Sequence, residues 1–353
     1  LILAFIYCVV FCYLVYKLSF FKDSVLSFRF LLFVIIVKIL ACSAYYWVYF
    51  MYYPVGQNGG DSVSTLHDAK IIYDALPNHP QDFFKMIFGF HTELDSDPLY
   101  QAYFKDTQKW DRADITSEFF LNDNRTPIRL NALIMLFSFG SYAVHALVML
   151  VLSFIGQFAF YKTFKRFFTG KEMILAIIIF FSPSVLFWSS GVLKEPIALF
   201  VMGITLHTFF KLFIDKHFTF KYVLLFIGSC ALFLILKPYI LVLMLLPLII
   251  YVIIKQWQIK QAFITYALSL SLALISGVVV LKTVFHKDVI NTIVTRENDF
   301  VNLSRGGIFF LNDKNYLRLE YKDSLQYYKV DTINHLYRIK PHAQLMYWEL
   351  QNI

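Results

Sequence analysis

Cysteine and charge are scarce in this chain, and internal repeats are absent. Its four cysteines, Cys8, Cys12, Cys42 and Cys230, all fall in apolar segments and never as Cys-x-x-Cys. That pattern indicates neither a disulfide framework nor a cysteine metal site, and the four read as small core residues. Only 16% of the 353 residues are charged, well under the share of a soluble domain. No repeat, low-complexity tract, phosphate-binding loop, zinc motif or nucleophile elbow is present, so repeat architectures and the enzymes built on those motifs are set aside. No methionine opens the chain, which starts at Leu1 inside an apolar run, so further residues are expected ahead of it.

Apolar sequence is abundant: 58% of residues are hydrophobic, 19% are aromatic, and mean hydropathy is +0.59. This is the composition of a polytopic membrane protein. The net charge of +8 could point to nucleic acid, but the basic residues sit in short connections between apolar segments. The positive-inside rule accounts for them and leaves no basic face for nucleic acid. An all-α fold of about eight transmembrane helices follows, over roughly 1–16, 30–52, 131–161, 173–188, 196–213, 222–236, 239–254 and 262–281. The basic connections around Lys17–Arg29, Lys162–Lys171, Asp215–Lys221 and Lys255–Lys260 are then cytoplasmic. Four parts result: an N-terminal pair of helices (1–52), a large external loop (53–129), a six-helix bundle (130–282) and an external C-terminal segment (283–353).

Residues 53–129 carry 12 acids against 7 bases, the reverse of the short connections. The loop opens with Gly59, Gly60, Asp61 and Ser62, a tight turn leading into a helix for which Asp61 is a natural N-cap. Val63, Leu66, Tyr73 and Leu76 recur near helical spacing until Pro77 and Pro80 stop them, and Pro80–Phe90 is aromatic-rich; both pieces are expected at the membrane surface. Lys38 falls about 13 Å into the second span at 1.5 Å per residue, and snorkelling is expected in preference to a functional buried cation. His145 is expected to be hydrogen-bonded packing.

The densest chemical signal is Ser182–Pro196, where the adjacent Lys194 and Glu195 interrupt apolar sequence. A helix, a turn near one face and a returning helix are expected, with N-terminal amides aimed at the pair, an arrangement suited to an anion. An ordinary loop carrying a solvated ion pair is the alternative. The charge-based topology puts Asp61, Lys194, Glu195 and Lys237 all at the outer ends of spans. Because 222–236 and 239–254 are short, about 22–24 Å against a hydrocarbon thickness near 30 Å, Lys237 is expected to be recessed beside a carboxylate or a bound phosphate. Arg296, Arg305 and Arg338 of the tail could also reach a phosphate, with solvated surface as the plainer expectation.

Gly59-Gly60-Asp61-Ser62 in the first large external loop, amphipathic helices behind it, and the proline-flanked Lys194-Glu195 hairpin resemble the GT-C superfamily of lipid-linked-sugar glycosyltransferases. They are also similar to the related polysaccharide polymerases of the EpsG/Wzy kind. The resemblance covers roughly residues 30–282. It implies a membrane glycosyltransferase that uses a polyprenyl-phosphate sugar on the extracytoplasmic face of a bacterial inner membrane, in envelope glycan or glycoprotein synthesis. Asp61 would be the catalytic base and Glu195 a second functional acid. Lys194 and Lys237, with Arg296 and Arg305, would bind the phosphate, and no cofactor or metal is called for. The chain differs in having no second acid beside Asp61 and one extra span before the loop. Membrane lipid and envelope proteins are the other expected partners. A lipid-linked saccharide transporter or flippase, or a non-catalytic subunit of an envelope complex, remain alternatives.

Overall fold

The computed structural model describes residues 2–52, 60–90, 98–105, 107–110 and 124–283, and the short strands of the tail. Two compact units divide the chain, 1–259 and 260–353. The first is helical: α1 (Ile2–Lys17), α2 (Phe28–Tyr46), α3 (Gly60–Asp74), α4 (Pro80–Phe88), α5 (Arg125–Ser138), α6 (Tyr142–Phe164), α7 (Glu172–Phe181), α8 (Pro183–Trp188), α9 (Lys194–Phe209), α10 (Phe220–Leu236) and α11 (Pro238–Trp257). The second holds α12 (Ala262–Thr283) and two antiparallel strand pairs, β1 (Phe310–Asn312) with β2 (Asn315–Tyr316) and β3 (Tyr327–Val330) with β4 (Leu336–Ile339).

Four helical stretches among the described residues are long and apolar enough to cross a membrane: Phe28–Phe50, Tyr142–Phe167, Lys194–Ile214 and Ile240–Trp257. Shorter apolar helices occupy Ile2–Lys17, Glu172–Phe181, Phe220–Leu236 and Ala262–Ser276. Each expected span therefore corresponds to an apolar helix, though two are broken. Where one span over 131–161 was expected, α5 and α6 are separated by Phe139 and Gly140, both left-handed with φ of 50° and 76°. Where 173–188 was expected to run through, Pro183 keeps Ser182 extended (ψ 118°) and divides the stretch into α7 and α8.

The axis of the first unit is the α6–α9 pair, which is joined by glycine. A Cβ on Gly156 would run into the Leu199 carbonyl and the Phe200 Cα, and one on Gly203 into the Gly156 carbonyl. The two backbones touch, the usual solution where apolar lipid gives helices no hydrophobic drive to associate. α1, α2 and α7 pack on the other side of α6 through Phe11, Val34, Phe154, Phe158 and Phe180, while α10 and α11 close on α9 through Phe233, Leu236 and Leu241. α3, α4 and α5 form their own cluster around Ile72, Met86, Ile128 and Trp110. Thus α3 is not simply laid on a surface. Its buried face is Ser62, Thr65, Asp68, Ala69 and Ile72, while Val63, Leu66, Tyr73 and Leu76, the face expected from periodicity, are half-buried. Small residues there let α3 approach α5 closely.

Candidate functional site

Tyr45, near the end of α2, gathers the residues that matter. Its side chain is buried at 1% exposure and its hydroxyl shares a 3.1 Å hydrogen bond with Ser62 Oγ in the first turn of α3. Its ring meets Tyr49 at 4.6 Å and Phe187 at 5.4 Å. Gly191, in the turn between α8 and α9, lies so close that a Cβ there would stand 2.6 Å from the tyrosine Cζ. This close approach makes glycine obligatory. The Asp61 and Glu195 carboxylates both lie within electrostatic reach of the Tyr45 hydroxyl. The starts of α3 and α9, far apart in sequence, thus meet at one residue.

Asp61 lies inside the first turn of α3, after Gly60 at φ 52°, rather than capping it from outside. Its carboxylate is 66% exposed and pairs with Lys109 Nζ at 2.6 Å. Lys109 is brought there by Asp68, two turns further along α3. The fully buried Asp68 carboxylate accepts the backbone N–H groups of Gln108 (2.8 Å), Lys109 (2.6 Å) and Trp110 (2.8 Å). Trp110 in turn stacks on Phe104 with ring centroids 4.4 Å apart and carries Arg125 and Arg129 over its ring at 5.4 and 5.1 Å. Burial, with Arg129 beside it, pushes the Arg125 guanidinium down to about 10, which still leaves it charged near neutral pH.

The expected hairpin exists, but its turn is not a solvated loop at a membrane face. Ser189, Ser190, Gly191, Val192 and Leu193 are all buried. Lys38 explains how. Instead of snorkelling, it is fully buried and donates from Nζ to Ser153 Oγ of α6 (3.0 Å) and to Ser189 Oγ of the turn (3.1 Å). α8 is only 6 residues long, so the chain turns back early and its polar backbone is covered by α2 and α6. Irregular backbone inside a membrane protein is tolerated where protein covers it or where it lines a cavity, and both conditions hold here.

A cavity of about 530 Å³ lies against this turn. Glu195 and Lys237 line it together with Ser184 and Ser189, and its other walls, among them Val185, Trp188, Leu199 and Phe233, are apolar. Lys194 opens α9 beside Glu195 but is not among the lining residues. α11 has 20 residues, or about 30 Å at 1.5 Å per residue, so it is longer than expected and the argument for recessing Lys237 from its shortness does not hold. Lys237 is nevertheless half-buried and shares its cavity with a buried turn. Arg296 and Arg305 lie outside the described residues, and Arg338 is placed only as part of β4. His145 bonds Ser138 (2.8 Å) and Asn131 (2.7 Å), tying α5 to α6 as packing. Among the described residues no group of three His, Cys, Asp or Glu side chains is placed to hold a metal.

Tyr45, Ser189 and Lys109 were not legible as site residues, and Lys38 stood out as a charge within a span but was expected to snorkel. One available signal was the seven-residue spacing of Asp61 and Asp68, which puts both on one face of a helix.

The chain is therefore an α-helical membrane protein with an acid- and lysine-lined apolar cavity against a buried turn at one end of its bundle. Comparison with protein-family models, with curated proteins and with solved structures finds no match to it.

Proposed function

We propose that this end of the bundle transfers a sugar from a polyprenyl-phosphate donor on the extracytoplasmic face, in envelope glycan or glycoprotein synthesis. The supporting observation is the convergence at Tyr45. Glu195 and Lys237 line an apolar cavity, and Asp61, paired with Lys109, lies with Glu195 within electrostatic reach of Tyr45. A lipid phosphate needs apolar walls for its chain and a positive charge for its head. The reaction needs a carboxylate that takes the proton of an acceptor hydroxyl as its oxygen bonds to the anomeric carbon. The bond from that carbon to the phosphate oxygen breaks, and the departing phosphate keeps the electron pair and is neutralised by cations. In this reading Asp61, exposed and held by Lys109, is the base. Glu195 orients the donor against Lys237, and Lys194 adds positive charge at the start of α9. Eight spans with the 53–129 loop outside complete the arrangement, and the cell-envelope membrane is the expected location.

Purified protein in lipid nanodiscs, supplied with polyprenyl-phosphate sugars and read by mass spectrometry of the products, tests this. Asp61→Asn should lower turnover by about 10²–10⁴-fold, the usual contribution of a positioned base, while donor binding survives. Equal transfer by wild type and Asp61→Asn would remove the base role, and failure to consume any donor would remove the enzyme. A saccharide transporter is the second reading, favoured by the buried Lys38 cation next to the cavity wall. It predicts donor binding without product.

A further inference from the structure

The opposite ends of α6 and α9 carry a second cavity, of about 660 Å³. Lys162 to Lys165 and Lys211 lie there, whereas Tyr142 and Lys194 lie at the Tyr45 end. From Lys194 to Lys211 a helix rises about 26 Å at 1.5 Å per residue, close to the roughly 30 Å of a hydrocarbon core. Five cationic side chains line the cavity: Lys162, Lys165, Arg166, Lys211 and Lys221. Two carboxylates oppose them, Glu172 and Asp215. A third, Asp23, stands behind Lys165, to which it is ion-paired, with no side-chain surface exposed. Two positive charges are left over.

The pairing of these charges is uneven. Asp215 serves two cations, Arg166 at 2.8 Å and Lys211 at 3.1 Å. Among the described residues Lys162 makes no direct ion pair, Asp23 acting on it only at longer range. It donates to the Phe20 carbonyl at 2.8 Å and lies 5.1 Å from the Phe20 ring. Surface lysines left by the positive-inside rule alone would splay into water, but these converge on one hollow from the end of α6 (Lys162), the connection after it (Lys165 and Arg166), the segment that follows α9 (Lys211) and the start of α10 (Lys221). Exposed aromatics accompany these cations in sequence: Phe167, Phe168, Phe218 and Phe220 are 52%, 43%, 67% and 84% exposed. Exposed aromatics beside a span favour the headgroup level of a bilayer, and basic pockets between spans at that level take anionic headgroups.

We propose that this cavity binds a phosphate-bearing anion, either the headgroup of an anionic membrane lipid or a soluble phosphate compound, at the end of the bundle remote from the Tyr45 site. The site is independent of any glycosyl transfer. Full-length protein, delipidated in neutral detergent, would be titrated with phosphatidylglycerol, with phosphatidylcholine as the uncharged comparison, and separately with inorganic phosphate. Retained lipid is counted by native mass spectrometry, and the thermal shift is followed in parallel.

Lys211→Gln with Lys221→Gln should weaken phosphatidylglycerol binding on the order of 25-fold, about fivefold for each lysine lost from an anionic headgroup. Lys17→Gln with Lys255→Gln removes the same charge outside the cavity and should leave affinity within twofold of wild type. Glu172→Gln removes a repelling charge from the wall and should tighten binding, which keeps the test informative if the double lysine variant does not fold. Selective weakening of phosphatidylglycerol assigns a lipid. Selective weakening of inorganic phosphate, with phosphatidylglycerol unaffected, assigns a soluble source. Equal binding by both double variants with no gain in Glu172→Gln, or no binding of either probe by wild type, overturns the proposal.

Discussion

Lys38→Met tests how the buried end is held together. Enclosing a lysine cation costs several kcal/mol after relaxation. Against that, the 3.0 and 3.1 Å bonds to Ser153 and Ser189 return about 1.5–3 kcal/mol each, as hydrogen bonds from charged groups do. The two contributions nearly cancel. Methionine keeps most of the length and volume and carries no charge, and Ser153 keeps its bond to the Leu150 carbonyl at 2.9 Å. Stability should therefore stay within about 1.5 kcal/mol of wild type, the range of a volume-conserving change. Lys38→Ala leaves a cavity as well and should cost about 2–5 kcal/mol. Ser189→Ala strands the cation with one partner and should cost about 1–3 kcal/mol. For a helical unit of this size 1 kcal/mol moves the midpoint by roughly 2–4 °C, so the order is readable by thermal unfolding in detergent followed by size-exclusion recovery. If Lys38→Met falls as far as Lys38→Ala, the charge itself fastens α2 to α6 and the two contributions do not cancel. If the lysine acts on the neighbouring cavity through Ser189, the methionine variant should also lose lipid-phosphate binding while remaining folded.

The α6–α9 contact predicts that Gly203→Ala, whose new methyl would meet the Gly156 carbonyl, destabilises by about 1–3 kcal/mol through overpacking; a midpoint equal to wild type would show that the helices can separate freely. Single cysteines at the exposed Asp74 and Lys216, in a background lacking the four native thiols, should label from opposite sides of intact cells, Asp74 from outside; labelling from one side would undo the charge-derived topology. Asp23 and Asp215 both titrate below the ordinary carboxylate value of 3.8. In Asp23 burial acts upward but is outweighed by Lys165 and the amides of Val25 and Leu26; in Asp215 the Arg166 hydrogen bonds lead. A carboxyl depressed in the folded state contributes stability above its unfolded value and loses it as pH falls through the folded one. Acid unfolding should therefore steepen below about pH 4 and flatten in Asp23→Asn; an unchanged acid limb in the variant would remove Asp23 as a contributor.

Apolar runs located the long helices because burial in lipid requires continuous hydrophobic sequence, so the expected spans 131–161 and 196–213 overlap α6 and α9, although the first also took in part of α5. The breaks were less visible. Ser182-Pro183 and Phe139-Gly140 are single backbone decisions inside apolar stretches, and hydropathy averaged over a window passes over them. Lys38 was misread because snorkelling is judged from depth alone, whereas its fate was set by Ser153 and Ser189, more than a hundred residues away in sequence. Grouping Asp61 with Glu195 was legible from charge, since both fell at the same ends of spans. That Glu195 and Lys237 share a cavity while Asp61 faces Lys109 was not, because it depends on how α3 docks and on the backbone amides gathered by Asp68. The grouping of Lys162, Lys165 and Lys221 was likewise present in the charge pattern as a shared membrane side, but a common hollow, with Lys211 from the expected span 196–213 in it, needs the α6–α9 pairing to exist.

The buried turn at Ser189–Leu193 has a consequence for the order in which the protein is made. α7 and α8, of 10 and 6 residues, are each too short to stand across a bilayer alone, and the amides between them and α9 would face hydrocarbon before any neighbour arrives. Their cover comes from α2 and α6, which leave the ribosome first and are long enough to insert independently. The 172–193 segment should accordingly wait at the membrane surface until Lys38 and Ser153 have been brought side by side, and enter afterwards as the closing piece. In chains truncated after Trp188, Lys38→Ala with Ser153→Ala should then leave α2 and α6 inserted but expose the α7–α8 stretch to protease.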